Sequence, residues 1–163
     1  MLADDPSASI GAIATEAGVD RRTVYRRFAS REALLAAIYA SRLDAVEAAI
    51  EAARLREAPI AVALHRYVEG IIEVNRTWPV ELTRMRAEET IHERRNQLIQ
   101  EVEVFLERAT DEGLLRADLP KGWAGILLPQ LLHLASQQLP DSSAAQAADL
   151  VVDTLLHGVG RPA

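Results

Sequence analysis

The sequence predicts an all-α protein, with a short pair of helices at the N-terminus and a larger helical bundle after it. Alanine, leucine, glutamate and arginine dominate the chain, and β-branched residues rarely alternate with polar ones as they do in strands. Proline or glycine recurs where the helical apolar periodicity breaks. With 163 residues, of which 49% are hydrophobic, the chain can bury one substantial core beside a small N-terminal unit.

Caps, glycines and prolines mark where these helices begin and end. Pro59 and Pro79 suit the first turn of a helix, and Gly113 suits a C-terminal stop. Ser30 and Ser142 suit N-caps, because a serine hydroxyl can accept a hydrogen bond from an amide of the first turn. The predicted helices span residues 9–17, 21–28, 31–56, 59–76, 79–88, 91–112, 122–139 and 143–159.

The charge distribution indicates one basic end on an acidic chain. A net charge of -6 argues against a protein that coats nucleic acid with its whole surface, so DNA binding would need a local patch. Such a patch lies between residues 20 and 31, where Asp20 is the single acidic residue. Its basic members are Arg21, Arg22, Arg26, Arg27 and Arg31.

Composition argues against membrane and secreted classes. The chain contains no cysteine, which rules out disulfides, thiolate metal sites and a cysteine nucleophile. The absence of cysteine also agrees with a reducing compartment. No stretch approaches the roughly 18 consecutive apolar residues that span a bilayer, and the N-terminus lacks a basic start followed by an apolar run. We therefore expect a soluble cytoplasmic protein that does not bind a membrane.

We also expect no enzymatic activity, no cofactor and no metal site. The chain has no glycine-rich phosphate loop, no nucleophile elbow and no close histidine-rich pattern. Glu88 with His92, and Glu89 with Glu93, have a spacing that can bind a divalent ion, but such pairs are commonplace on exposed helices.

The N-terminal residues have the pattern of a helix-turn-helix. Ile10, Ile13, Ala14 and Ala17 recur at i, i+3, i+4 and i+7, which gives the first helix one apolar face. Gly18 follows where a left-handed residue ends a helix. We expect Val19 to fill the turn and Asp20 to cap the next helix.

The second helix, from Arg21, has the pattern of a DNA-recognition helix. Val24 and Phe28 fall on one face and Arg22 and Arg26 nearly opposite, with Thr23, Tyr25 and Arg27 beside them. Arginine can bond guanine in a bidentate way or neutralise phosphates, and a threonine methyl can contact thymine. Arg31, beside Ser30 in the first turn of the third helix, is expected to contact a phosphate. The alternative, a surface hairpin with solvated arginines, leaves the agreement of caps, glycine stop and apolar face unexplained.

These residues resemble the DNA-binding signature of the TetR family over roughly residues 7 to 39. The matching motifs are Ile13-Ala14, Ala17-Gly18-Val19, Thr23-Val24-Tyr25, Phe28 and Ser30-Arg31-Glu32-Ala33-Leu34-Leu35. The segment 113–120, which reads Gly-Leu-Leu-Arg-Ala-Asp-Leu-Pro, is similar to the linker before the last two helices of many such regulators. The predicted DNA-contacting residues are Ser9, Arg21, Arg22, Thr23, Tyr25, Arg26, Arg27 and Arg31.

The resemblance also implies how the chain is divided. The family places a further helix before the helix-turn-helix, and residues 2–6 resemble the end of that helix. We therefore expect an N-terminally incomplete DNA-binding domain over 1–39 and an effector-binding and dimerisation domain over 40–163. Apolar cover for Ile10, Ile13, Val24 and Phe28 would depend on the missing helix.

The last two predicted helices, 122–139 and 143–159, are the most apolar part of the chain. The resemblance implies that this pair meets its copy across a two-fold axis as a four-helix bundle, although burial in the protein's own core is the alternative. A two-fold dimer presents two recognition helices to successive major grooves, which predicts a roughly palindromic operator.

The resemblance further implies an effector cavity among the central helices. Aromatic and apolar residues at helical spacing are candidates for its walls, although each of them can equally be plain core. The candidates are Tyr67, Ile71, Trp78, Met85, Phe105, Trp123 and Leu127.

These features together predict a ligand-responsive transcriptional regulator of the TetR type. The resemblance implies a repressor that binds double-stranded operator DNA as a homodimer and is released by a small-molecule effector. The alternative is a helical dimer that binds a small molecule but not DNA.

Overall fold

The structure, a computed structural model, describes residues 8–78 and 89–158. The predicted helix 79–88 and the pocket candidate Met85 lie outside these ranges. Within them every regular element is helical, which confirms the all-α prediction. The helices are α1 Ile10–Glu16, α2 Arg21–Arg27, α3 Arg31–Ala53, α4 Ile60–Thr77, α5 Glu89–Asp111, α6 Trp123–Gln138 and α7 Ala144–His157.

Helix α4 lies at the centre of the body. It packs against α3, α6 and α7, while α5 packs against α3 and α6. Leu64, Val68 and Ile72 recur along α4 at four-residue intervals and are fully buried. This spacing places them on one stripe of the helix, so α4 supplies the middle of the core.

Helix α3 connects the N-terminal unit to this body. Buried residues near its start, Leu34 and Tyr39, lie outside the main core cluster, which begins on α3 at Leu43. Ile10 and Ala14 of α1 are also buried outside that cluster. The change between Tyr39 and Leu43 agrees with a boundary near residue 39, which stays a prediction.

The predicted helix ends lie within a few residues of the observed ones, with three corrections. Helix α3 ends at Ala53, before the left-handed Arg54, rather than at residue 56. Pro59 is the N-cap of α4 and not a residue of its first turn. Gly113 follows α5 with a φ of +79°, as a C-terminal stop requires. The N-cap of α7 is Ser143 and not Ser142: its hydroxyl accepts from the Gln146 amide at 3.1 Å, and the Gln146 side chain accepts from the Ser143 amide at 3.0 Å. The glutamine three residues after Ser143 completes this reciprocal capping box, which explains why the cap lies one residue later than predicted.

Arginine side chains join the ends of separate helices in the body. Arg76 of α4 donates to the carbonyl oxygens of Leu139 at 2.7 Å and Ser142 at 2.9 Å, in the connection between α6 and α7. Arg108 of α5 donates to the carbonyl oxygens of Arg56 at 2.8 Å and Ala58 at 3.0 Å, just before α4. Each guanidinium therefore satisfies carbonyls that no helix pairs.

Among the described residues, no helix is both long and apolar enough to cross a lipid bilayer. Over the same residues, no group of three or more histidine, aspartate or glutamate side chains is arranged to hold a metal ion.

Candidate DNA-binding site

Helix α1 has a local cap at each end, of which only the glycine stop at Gly18 was predicted from the sequence. The Ser9 hydroxyl accepts from the Ala12 amide at 3.2 Å and forms the N-cap. Gly18 has a φ of +66°, and the amide of Val19 donates to the carbonyl oxygen of Ala14 at 2.9 Å. This is a left-handed glycine termination, which turns the chain sharply toward α2.

Val19 is 42% exposed, so it does not fill the turn as the sequence analysis expected. The buried apolar residues of this pair of helices lie instead in α1, where Ile10 is 6% and Ala14 1% exposed. Ile13, Val24 and Phe28 are half-buried.

Helix α2 presents its polar side chains to solvent. The Asp20 carboxylate accepts from the amides of Arg22 at 2.9 Å and Thr23 at 3.3 Å, which caps the helix as predicted. None of its residues is fully buried, and Tyr25 is 52% exposed. Arg22 and Arg26 are exposed on the side away from half-buried Val24.

The remaining arginines of α2 have defined neighbours. The Arg27 guanidinium lies over the Phe28 ring, 5.9 Å from the ring centroid. The Arg21 guanidinium lies against Gly11 of α1. The structure therefore directs Arg22 and Arg26 outward, whereas Arg21 and Arg27 rest on other parts of the unit.

The start of α3 fixes the segment that precedes α1. The Ser30 hydroxyl accepts from the Ala33 amide at 3.1 Å, as predicted for an N-cap. Arg31 Nε donates to the carbonyl oxygen of Ala8 at 3.0 Å, a contact that the sequence analysis did not foresee. The pKa of Glu32 is lowered by a backbone hydrogen bond and, to a lesser extent, by the Ser30 hydroxyl and the charge of Arg31.

The candidates for an effector pocket divide between core and surface. Tyr67, Ile71 and Phe105 belong to the core cluster, and burial raises the pKa of the Tyr67 phenol. Leu127 of α6 is half-buried, whereas Trp123 at the start of α6 is 45% exposed.

Other pocket candidates lie near the ends of helices. Trp78 is half-buried at the C-cap of α4. Phe105 also lines an open groove of about 480 Å³ between α5 and the chain that follows α3. None of the other predicted pocket residues that the structure describes lines that groove.

Arg42 of α3, which was not among the predicted site residues, donates to the Trp78 carbonyl oxygen and to the Asn75 side chain. Its position relative to buried Tyr39 and Leu43, three residues after one and one before the other, was the available signal. An arginine beside an apolar stripe must either hydrogen-bond to buried acceptors or extend its guanidinium into solvent, because burying an unpaired charge is costly.

The fold and this site define a helix-turn-helix DNA-binding protein with a helical body, and comparisons with known proteins agree. The family model described as "Bacterial regulatory proteins, tetR family" matches residues 6–38. The HTH-type transcriptional repressor LfrR of Mycolicibacterium smegmatis is 30% identical over 168 residues, covering 98% of this chain and 84% of LfrR. The chain belongs to the TetR family of bacterial transcriptional regulators.

Solved structures show the same fold. The structure of LfrR from Mycobacterium smegmatis in complex with proflavine is similar with a TM-score of 0.75 and 28% identity, covering 99% of this chain and 90% of that one. The TetR family regulator PfmR from Thermus thermophilus gives a TM-score of 0.72 at 21% identity, covering 96% and 91%. At this identity the similarity to PfmR shows a shared fold and nothing about function.

Proposed function

We propose that this protein is a ligand-responsive transcriptional repressor that binds a roughly palindromic operator as a homodimer and is released by a small-molecule effector. The observation that carries the proposal is the exposed basic face of α2, held by caps on a unit that α3 connects to the body. We expect the protein to act in the cytoplasm and to catalyse no reaction.

The proposed DNA contacts follow from the positions of the side chains. Arg22 and Arg26 project from the outer face of α2, where they can reach base edges in a major groove. Thr23 and Tyr25 lie beside them, suited to a thymine methyl and a phosphate oxygen. The full proposed set is Ser9, Arg21, Arg22, Thr23, Tyr25, Arg26, Arg27 and Arg31.

Arg31 is proposed to contact a phosphate while it holds Ala8. Its Nε donates to the Ala8 carbonyl oxygen at 3.0 Å, and it lies in the first turn of α3, where backbone amides and the helix dipole favour an anion. Loss of Arg31 should therefore weaken binding to all DNA about equally, both through the phosphate and through the support that Ala8 loses.

The proposed dimer forms through α6 and α7. Helix α6 leaves large apolar side chains at its surface: Trp123 at 45%, Ile126 at 63% and Leu134 at 57% exposed. Leu150 of α7 is 54% exposed. An apolar face of this kind is stabilised by contact with a second copy, and a two-fold axis would present two α2 helices about 34 Å apart.

The proposed effector site lies among the central helices, and the LfrR–proflavine complex supports a small-molecule ligand. The proposed walls are Tyr67, Ile71, Trp78, Met85, Phe105, Trp123 and Leu127. A ligand bound there would favour a conformation of the body in which the distance between the two α2 helices no longer matches successive major grooves. Binding of the ligand would therefore lower the affinity for operator DNA, and operator binding would lower the affinity for the ligand.

The test is binding of the protein to DNA from the promoter region of its own gene and to random-sequence duplex, across a salt series. Specific, salt-sensitive binding is expected. Arg26→Ala should reduce affinity for promoter DNA far more than for random DNA, because it removes a base contact. Arg66→Ala, which removes an exposed arginine from α4, is the matched control and should leave both affinities unchanged.

Two outcomes would contradict parts of this proposal. Failure to bind either DNA would favour the dimer that binds a small molecule but not DNA. Equal losses on promoter and random DNA for Arg26→Ala would exclude base reading by Arg26. Proflavine is the first effector probe. Because this planar acridine also intercalates into DNA, its binding is measured on the protein alone, and release from promoter DNA supports the linkage only at concentrations that leave the protein-free DNA probe unaffected.

A further inference from the structure

Gly11 of α1 leaves the space that the Arg21 guanidinium occupies. A Cβ atom at position 11 would lie 2.6 Å from Arg21 Cζ and 2.7 Å from Nε, with Nη2 nearer still. Gly11 is buried although its neighbour Ala12 is exposed. Arg21, the first residue of α2, therefore reaches back across α1 and covers a position where other residues have a side chain.

This placement separates Arg21 from Arg22 and Arg26. The latter two project from the outer face of α2, which enters the major groove in helix-turn-helix complexes. The first helix of the motif crosses the sugar-phosphate backbone instead. A guanidinium resting on α1 consequently lies on the side of the unit that passes the phosphates.

We propose that Gly11 is a positioning residue, which holds the Arg21 guanidinium on α1 for contact with a DNA phosphate rather than a base. This inference rests on the proposed DNA-binding function and names the role of one residue pair within it. Arg21 then supplies affinity and salt dependence, whereas Arg22 and Arg26 supply sequence preference.

The substitution Gly11→Ala tests the pair because it should affect folding and DNA binding in different directions. The atoms that a new Cβ would meet belong to the far end of a flexible, exposed side chain, so Arg21 can move away without disturbing the backbone. Alanine is also the better helix former. The denaturation midpoint should therefore stay the same or rise, while Arg21 loses its position.

The experiment compares wild type, Gly11→Ala, Arg21→Ala and the double variant on promoter DNA and on random duplex across a salt series. Gly11→Ala and Arg21→Ala should each weaken binding to both DNAs by the same factor. Each should lower the slope of log affinity against log salt by about 0.9 per protomer, or about 1.8 per dimer. The double variant should bind no more weakly than Arg21→Ala alone. Gly125→Ala, where a new Cβ makes only an ordinary 3.9 Å contact with Leu106, is the control for the effect of a glycine replacement in a helix on the denaturation midpoint.

Several results would overturn the inference. Unchanged affinity for Gly11→Ala, or additive losses in the double variant, would show that Gly11 does not act through Arg21. A selective loss on promoter DNA for Arg21→Ala would assign Arg21 to a base. A lower denaturation midpoint for Gly11→Ala would mean that folding, rather than the placement of Arg21, requires glycine at position 11. If the wild-type protein does not bind promoter DNA, the proposed function itself is wrong. The wild-type measurement alone shows this, so it is distinguished from a failure of the inference about Gly11 and Arg21.

Discussion

Arg42 in the middle of α3 donates a hydrogen bond from Nη1 to the carbonyl oxygen of Trp78, at 2.7 Å, across the end of α4. Its Nη2 donates to Asn75 Oδ1 at 2.9 Å. Burial lowers the pKa of Arg42, because its charge is partly withdrawn from water. The helix that begins in the DNA-binding unit is thus tied to the C-terminal end of the central body helix by a half-buried charged group.

Arg42→Met should destabilise the protein by about 2 kcal/mol, because hydrogen bonds to a charged group contribute roughly 1.5–3 kcal/mol each and this group is only partly buried. The Trp78 carbonyl and the Asn75 amide would lose their donors. The measurement is the free energy of unfolding in urea. Arg66→Met, which removes an exposed arginine from α4, is the matched control. Equal stability of the two variants would show that the Arg42 contacts contribute nothing.

Asp20→Ala should weaken both the start of α2 and DNA binding. The Asp20 carboxylate caps the amides of Arg22 and Thr23, and loss of such a cap costs about 1 kcal/mol. Asp20→Asn retains an acceptor and should restore most of the loss. The measurements are amide hydrogen exchange at residue 22 and affinity for promoter DNA. Residue 23 is less informative, because its amide also donates to the main-chain carbonyl of Asp20 at 3.0 Å, which the substitution keeps. Exchange that stays slow in Asp20→Ala would show that the cap does not hold α2.

Local features of the site were predictable, whereas its long-range contacts were not. The caps at Asp20 and Ser30 and the glycine at Gly18 depend on neighbours within a few residues, so the sequence order alone determines them. The bond from Arg31 to Ala8 joins residues 23 positions apart.

The bond from Arg42 to Trp78 spans 36 positions. Such pairs form only when helices are packed at particular angles, and apolar periodicity does not specify those angles. The direction of Arg21 escaped prediction for the same reason. A helical wheel places Arg21 beside Arg22. In the structure the Arg21 guanidinium lies on α1 instead, in the space that Gly11 leaves open.

Arg54→Gly should be more stable than Arg54→Ala by about 1 kcal/mol. Arg54 is the C-cap of α3 and has a φ of 53°, a left-handed conformation that residues with a Cβ adopt at a cost of roughly 1–2 kcal/mol. Both substitutions remove the exposed ion pair with Glu57, so their difference isolates the backbone conformation. The measurement is the free energy of unfolding of both variants. If they unfold at the same denaturant concentration with the same slope, position 54 carries no backbone strain.

Ile126→Glu should convert the proposed dimer into a monomer. Ile126 is the most exposed of the large apolar side chains on α6, and a carboxylate at this position would be placed in an apolar interface next to its copy without a partner. Val104→Glu is the matched control, because Val104 is 56% exposed on α5, outside the proposed interface. Sedimentation velocity gives the oligomeric state, and the far-ultraviolet circular dichroism of both variants verifies that the helices remain.

A monomeric Ile126→Glu should also lose most of its affinity for promoter DNA, because each half-site would then be bound singly. A dimeric Ile126→Glu with a monomeric Val104→Glu would place the interface on α5 instead.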